Sequence, residues 1–259
     1  KSFHPLTKLK MSGRIEWEVR EEIGILTINN PPENYLFEPE FVPLDVLQKW
    51  TAEPTLKGIL IYGKGKHFSA GGNLKRLFEI IAQEENLEDK LAAGNAIIDH
   101  LVNTNLPLVA AVHGVCFGGG LEIALACHIR VAAENALFAT PETSHGLIPG
   151  LGGTLRLPAT VGQANALQMI LSGDMISTEE ALMMGLIDVI LPRKEVFGHA
   201  FNLLHSMIKN LEPGIIKSVI KVLKNSTSMP SEQAIAEETK IFCELARKEY
   251  SRRLSESEI

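Results

Sequence analysis

Apolar positions change their period several times along the chain, and each change marks an element. Ile15, Trp17 and Val19 alternate with polar residues, and a second apolar stretch over residues 24–29 follows a break at Glu21-Glu22. Two such stretches on either side of a short polar break predict a β-hairpin. Pro31 and Pro32 end its second strand, and Phe41, Leu44, Val46, Leu47 and Trp50 then support a helix behind Pro43. Residues 57–62 read as a strand, and residues 74–105 as helical but interrupted by the polar run 83–90, which suits a solvated face or loop. The run 108–112 has no polar position and predicts a buried strand, after which Leu121, Leu125 and His128 recur at helical spacing. Strands at 129–132 and 137–139, helices at 162–172 and 178–184, and a strand at 186–191 complete a core of mixed strands and helices. Residues 195–210, 213–225 and 231–254 predict a helical tail, with Ser231 as the cap of its last helix.

Candidate chemistry gathers where strands give way to helices. Gly118-Gly119-Gly120 stands at the entrance to the helix after strand 108–112. Such an entrance offers backbone N–H groups without intrahelical acceptors, the positive end of the helix dipole, and, with glycine, room for close approach. The triplet suits a developing negative charge, although three glycines also make a tight turn or a close helix contact. Glu122 falls in the first turn of the same helix, where the dipole alone favours a carboxylate. Glu142 follows Pro141 at the end of apolar residues 136–139, a place equally ordinary for a solvated turn residue. Two carboxylates 20 residues apart, each bordering apolar sequence, are also what paired acid/base chemistry requires.

Ala70-Gly71-Gly72 follows Phe68 and opens another helix at Leu74, supplying a second set of free amides. The basic turn Gly63-Lys64-Gly65-Lys66-His67 reads as a solvated loop rather than a phosphate contact. Pro149-Gly150 is by itself an ordinary turn signal. His145 stands three residues past Glu142 without a metal partner or nucleophile in the sequence. It suits either a satisfied loop histidine or a group that binds, orients or titrates with substrate.

These blocks together resemble the crotonase superfamily of enoyl-CoA hydratases and isomerases. The resemblance rests on Phe68-Ser69-Ala70-Gly71-Gly72-Asn73, Gly118-Gly119-Gly120-Leu121-Glu122, Pro141-Glu142, Gly146-Leu147-Ile148-Pro149-Gly150-Leu151-Gly152-Gly153, Leu171-Ser172-Gly173 and Ala181 with Gly185-Leu186-Ile187-Asp188. They keep the family's order and spacing from about residue 13 to about residue 195. The resemblance implies an α/β fold: a crotonase-like spiral of ββα units over residues 12–195, carrying the acyl-CoA site, and a C-terminal helical trimerisation region over 196–259. It implies an enoyl-CoA hydratase, which reversibly adds water to an α,β-unsaturated acyl thioester through an oxyanion-stabilised enolate. The amides of Gly72 and Gly119 then form the oxyanion hole. Glu142 supplies or takes the α-carbon proton, Glu122 orients and activates the water, and the Gly150 amide helps to hold it. Lys75 and the carbonyl of Ala70 lie near the phosphates and adenine of coenzyme A. His145 stands where the family's hydratases carry an aliphatic residue, and with Ala70 and Lys75 it is a candidate substrate-binding residue of this chain. Homotrimers that pair into hexamers are implied, with coenzyme A as part of the substrate and no metal or other cofactor.

The chain departs from the family's pattern at Asn73, where an acidic residue is usual, and at its end. Residues 251–259 replace a Phe-x-Glu-Lys-Arg segment that completes a neighbour's coenzyme A site in many relatives. The same fold also carries double-bond isomerases, decarboxylases and thioester hydrolases, which share the enolate hole. Glu122 argues against these, because many of them lack a carboxylate there. A non-catalytic acyl-thioester-binding protein is the reading of another class, and it would have no chemical need for both glutamates and both glycine donors.

Composition narrows the picture further. At 259 residues, 45% hydrophobic and 22% charged, the chain can bury one good core. A net charge of −6 gives no electrostatic support to nucleic-acid or anionic-membrane binding. The three cysteines, Cys116, Cys127 and Cys243, show no metal spacing and fit reduced thiols, so a soluble cytoplasmic protein is expected. Residues 1–10 lack the apolar core of a signal peptide, and Met11-Ser12-Gly13 fits a natural start.

Overall fold

The N-terminal hairpin seeds a seven-stranded sheet. The structure, a computed structural model, describes residues 9–11 and 14–257, and the readings made on residues 1–8 and 12–13 lie outside these. In chain order the elements are β1 (Leu9–Met11), β2 (Ile15–Arg20), β3 (Ile23–Ile28), α1 (Leu44–Thr51), β4 (Gly58–Gly63), α2 (Leu74–Ala82), α3 (Leu87–Asn103), β5 (Leu108–Val112), β6 (Val115–Phe117), α4 (Gly119–Leu125), β7 (Ile129–Ala133) and β8 (Leu137–Ala139). A 3-10 helix (Pro141–His145) follows, then α5 (Gly153–Val161), α6 (Gln163–Ser172), α7 (Thr178–Met183), β9 (Val189–Leu191), α8 (Arg193–Ile208), α9 (Pro213–Ser228) and α10 (Ser231–Ser257).

The main sheet has the order β1-β2-β3-β4-β5-β7-β9, antiparallel through β1, β2 and β3 and parallel from there on. Its parallel strands are covered on both sides, which is why 108–112 contains no polar residue. Leu108, Ala110 and Val112 face a large core shared with α1, α3 and α4, while Val109 and Ala111 face a second core closed by Val196, Ala200, Leu204 and Ile208 of α8. Trp17 of β2 and Trp50 of α1 stack at 5.4 Å, seating that helix on the sheet.

A second, smaller ladder runs beside the sheet. β6 pairs in parallel with β8, opposing Cys116 to Phe138, and single bridges add Ser69 beyond Cys116 and Ile176 beyond Phe138. Successive turns of the chain therefore repeat one plan: a strand in the main sheet, a rung in the small ladder, then a helix. β4, Ser69 and α2 make one turn, β5, β6 and α4 the next, and β7, β8 and the 3-10 helix a third. This is the expected spiral of ββα units.

Three local expectations are corrected. The strand expected over 186–191 is confined to Val189–Leu191, because Gly185 takes a φ of +74° and Leu186 turns into the core with its amide on the Ala181 carbonyl. Ser231 is the first helical residue of α10 rather than its cap, with Pro230 before it. β6 and α5 were not expected at all.

Asn34 joins the hairpin's exit to the segment that enters the small ladder. Fully buried, it donates through Nδ2 to the carbonyls of Lys64 (2.8 Å) and His67 (2.7 Å), and its Oδ1 accepts from the Asn30 amide (2.9 Å). Its φ of +56° is one that asparagine tolerates better than most residues. Replacing Asn34 by alanine should cost about 2–4 kcal/mol, because buried backbone groups lose their partners. Chemical denaturation reads this directly, and a midpoint equal to that of the wild type would show that the hub is dispensable.

Candidate active site

The small ladder determines where the functional segments meet. Ser69, Cys116 and Phe138 stand side by side as its rungs, and three residues beyond each lie Gly72, Gly119 and Pro141. Gly72 and Gly119 are neighbours: a Cβ built on Gly119 would lie 3.8 Å from the Gly72 nitrogen. Neither amide has an acceptor among the described residues, since Gly119 begins α4 and the bridge between Leu36 and Gly72 uses the Gly71 carbonyl and the Asn73 amide. Two donors without acceptors among the described residues thus stand side by side. The loop before Gly72 is pinned on several sides, by Ser69 Oγ on the Asn34 carbonyl (2.7 Å), the Gly71 amide on Ser69 Oγ (3.1 Å) and the Ala70 amide on the Glu33 carbonyl (2.9 Å).

Glu122 is 2% exposed, in the first turn of α4. Its Oε1 accepts from the amides of Leu151 and Gly153, each at 2.7 Å. A side chain at position 153 would obstruct this grip, because its Cβ would stand 2.9 Å from Oε1. Burial nevertheless raises the Glu122 carboxyl above its ordinary value, while the Gly153 and Leu151 amides and the Arg156 guanidinium pull it down.

Glu142 sits in the 3-10 helix, half-buried, with Oε2 shut off from solvent and without a hydrogen-bond partner among the described residues. Its Oε1 lies 2.8 Å from where a Cβ would stand on Gly118, whose φ of +48° also suits glycine. Burial raises this carboxyl to about 7; the hydrogen bond from its own backbone amide lowers it, and the negative charge of Glu122 raises it further. The two glutamates therefore share one electrostatic environment but differ in support: Glu122 is held by two amides, whereas half of the Glu142 carboxylate is bare.

The remaining predicted residues differ in their surroundings. Ala70 is half-buried, with no donor to its carbonyl among the described residues. Lys75 is exposed in the first turn of α2 and makes no ion pair among the described residues. Asn73 caps α2 by accepting from the Arg76 amide at 3.1 Å, so the carboxamide at this departure from the family still performs a capping task. The exposed Gly150 accepts on its carbonyl from Asn95 Nδ2 (3.1 Å), and its amide has no acceptor among the described residues. His145 is exposed at the last position of the 3-10 helix, and its side chain makes no hydrogen bond or ion pair among the described residues. No group of three or more histidine, cysteine or acidic residues that could hold a metal occurs among the described residues.

Sequence reading missed Asn34, Ser69, Asn95 and Arg156. Asn34 carried a faint signal, an asparagine directly after Pro-Pro-Glu, where turns favour that residue. The others act through backbone carbonyls or amides, which leave no spacing pattern.

The profile of the enoyl-CoA hydratase/isomerase family matches residues 18–257. A probable enoyl-CoA hydratase of Bacillus subtilis (strain 168) is 35% identical over 233 residues, 89% of each chain. The fatty acid oxidation complex subunit alpha of Shewanella amazonensis is 35% identical over 210 residues, 79% of this chain but 30% of that longer one. The crystal structure of an enoyl-CoA hydratase from Polaromonas sp. JS666 superposes with a TM-score of 0.82 at 27% identity, covering 90% of this chain and 91% of the other. With the spiral, the paired amides and the two glutamates in place, the chain belongs to the enoyl-CoA hydratase/isomerase family.

Proposed function

We propose that this enzyme is an enoyl-CoA hydratase, adding water reversibly across the α,β double bond of an acyl thioester. The observation that carries the reading is the pairing of a buried and a half-buried carboxylate with two adjacent amides that have no acceptor among the described residues. Donors fixed in advance stabilise the charge that develops on the thioester oxygen as the enolate forms, and a water-poor site strengthens them. Gly72 and Gly119 take this role. Glu142, with a carboxyl near 7 and an unpartnered oxygen, suits both giving and taking a proton at the α-carbon. Glu122, anchored by one oxygen, presents the other to the water that joins the β-carbon, and the free Gly150 amide helps to hold that water. Because the two carboxyls interact, they titrate as a unit.

The coenzyme A portion of the substrate is assigned to the Ala70 carbonyl and Lys75, and the acyl portion to the neighbourhood of His145. No cofactor beyond this thioester is required by the scheme. The Shewanella relative supports acyl chains of fatty acid oxidation as the substrate class. A homotrimer or hexamer is proposed from the apolar side chains left exposed on the tail, among them Val219 and Leu223 of α9 and Ile235 and Phe242 of α10. The cytoplasm is the proposed location; no helix among the described residues is long and apolar enough to cross a membrane.

Glu122→Gln and Glu142→Gln should each lower hydration at least ~100-fold, with the double variant little worse than the weaker single one. Exchange of α-protons from a saturated acyl thioester into deuterated water should stop in Glu142→Gln and persist in Glu122→Gln. Turnover left intact by Glu122→Gln would make a one-carboxylate reaction, such as double-bond isomerisation, the better account.

The same exchange reaction supplies a pH test. Abstraction needs ionised Glu142, so the exchange rate should climb as pH rises through about 7 and level off above it. A rate that is flat across that interval would remove Glu142 as the base.

The oxyanion hole is best tested at Gly72. A Cβ there meets nothing within 4 Å, whereas one on Gly119 would press on Leu36 Cδ1 at 3.0 Å. Gly72→Pro removes the amide donor and should lower turnover by ~100-fold or more in a folded protein. Near-normal turnover would mean that this amide does not bind the oxyanion.

A further inference from the structure

The loop that grips Glu122 is itself gripped from outside. Each amide that reaches Glu122 Oε1 belongs to a peptide unit whose carbonyl, on the opposite side of the planar group, is held by another element. In the unit joining Gly150 to Leu151, the Leu151 N–H donates to Glu122 and the Gly150 carbonyl accepts from Asn95 Nδ2 of α3 at 3.1 Å. In the unit joining Gly152 to Gly153, the Gly153 N–H donates to Glu122 and the Gly152 carbonyl accepts from the amides of Leu155 (3.2 Å) and Arg156 (3.0 Å) at the start of α5. Between them, the Leu151 carbonyl accepts from the Arg156 guanidinium, its one hydrogen-bond acceptor among the described residues. That guanidinium lies against Gly152, 2.5 Å from where a Cβ would stand. Gly152 has a φ of +85°, so the two neighbouring peptide planes are turned differently and need separate anchors.

From this geometry we infer that Asn95 and Arg156 are positioning residues for hydration, acting on Glu122 through the peptide units of residues 150–153. The inference rests on the assignment of Glu122 to the water. Asn95 fixes the plane of the first amide donor, and a hydrogen bond accepted on its carbonyl polarises the N–H on the other side. Arg156 fixes the intervening plane and places a cation near the carboxylate. Misplacing a catalytic group by about an ångström can cost ~100-fold in rate, so anchors that never touch substrate still govern turnover. Neither residue touches Gly72, Gly119 or Glu142 through a hydrogen bond, which separates their effect from enolate formation.

The charges around this group are few. Glu122 faces Glu142 from the 3-10 helix and Arg156 from α5, and Arg156 in turn faces Asp99 of α3. Removing the cation should raise the Glu122 carboxyl, which must be ionised to activate water, and so move the acidic limb of the hydration profile to higher pH.

The test compares Asn95→Ala, Arg156→Met and Arg156→Lys with Glu122→Gln in the intact enzyme, reading hydration and α-proton exchange side by side. Asn95→Ala and Arg156→Met should lower kcat for hydration by about 10- to 100-fold with KM and exchange within about threefold of wild type. Arg156→Met should shift the acidic limb upward, while Asn95→Ala and Arg156→Lys, which keep the charge, should leave it in place. Neither anchor variant should add much to Glu122→Gln, because all three would remove the same function. Wild-type hydration in Asn95→Ala and Arg156→Met, beside an inactive Glu122→Gln, would overturn the inference alone. Equal loss of hydration and exchange would also overturn it, as general damage to the site. Full activity in Glu122→Gln would overturn the assignment of Glu122 and the inference with it. Should Arg156→Met fail to fold, Asn95→Ala, on a half-buried residue, still decides the matter.

Discussion

Everything at the candidate site depends on the register of the small ladder. Three chain segments far apart in sequence are brought abreast at Ser69, Cys116 and Phe138, and each then leaves the ladder within three residues to supply one part of the site. A slip of one residue in any rung would turn alternate side chains to the wrong face and move an amide or a carboxylate by about 3.3 Å. The rungs are correspondingly well buried: Ser69, Cys116 and Phe138 are all 0% exposed. The main sheet, for all its size, acts chiefly as the support against which this ladder is held.

The second constraint is electrostatic. Two carboxylates close enough to influence one another cannot both be ionised cheaply in a buried site. The fold resolves this by unequal support. Two amides reach Glu122, while Glu142 has one oxygen without any partner. Groups of the same kind are thus given different surroundings, and in the proposed scheme this fits one to hold charge and the other to exchange a proton. The amide donors carry a cost of their own, since a glycine must stand wherever a carboxylate approaches the backbone, as Gly118 and Gly153 do here.

Much of this was legible in the residues. The alternation of β2 and the near-continuous apolar runs of β3, β4, β5 and β7 made these strands legible, because the first has one exposed face and the others are covered on both sides. The glycines at two helix entrances marked the segments that carry Gly72 and Gly119. What escaped was structure whose cause lies elsewhere in the chain. β6 is three residues long and owes its extended form to pairing with β8, so its own pattern could not announce it. α5 begins after a left-handed Gly152 and contains Pro158, both of which read locally as turn signals. Asn95 and Arg156 belong to the same class: their partners are backbone carbonyls, and any residue type supplies those.

The polar run at 83–90 shows how far such remote causes extend. Read as a solvated stretch, it contains Glu85 and Lys90, which with Glu38 and Arg76 form an ionic network: Arg76 reaches Glu38 at 2.7 Å and Glu85 at 3.3 Å, and Lys90 reaches them at 2.9 and 3.2 Å. The Arg76 guanidinium and then Lys90 hold the Glu38 carboxyl below its ordinary value, against the smaller opposing effect of its burial than of the Arg76 bond. Partly exposed pairs of this kind contribute little to stability one at a time. Their geometric effect is larger, because the network ties the start of α3 to the loop after the hairpin. Gly94, one turn beyond Lys90, packs against the Pro39 carbonyl and Leu151, and Asn95 beside it reaches the Gly150 carbonyl. Surface charge, helix and loop thus form one continuous chain of contacts, from the Lys90 ion pairs through Gly94 and Asn95 to the Leu151 amide that Glu122 accepts.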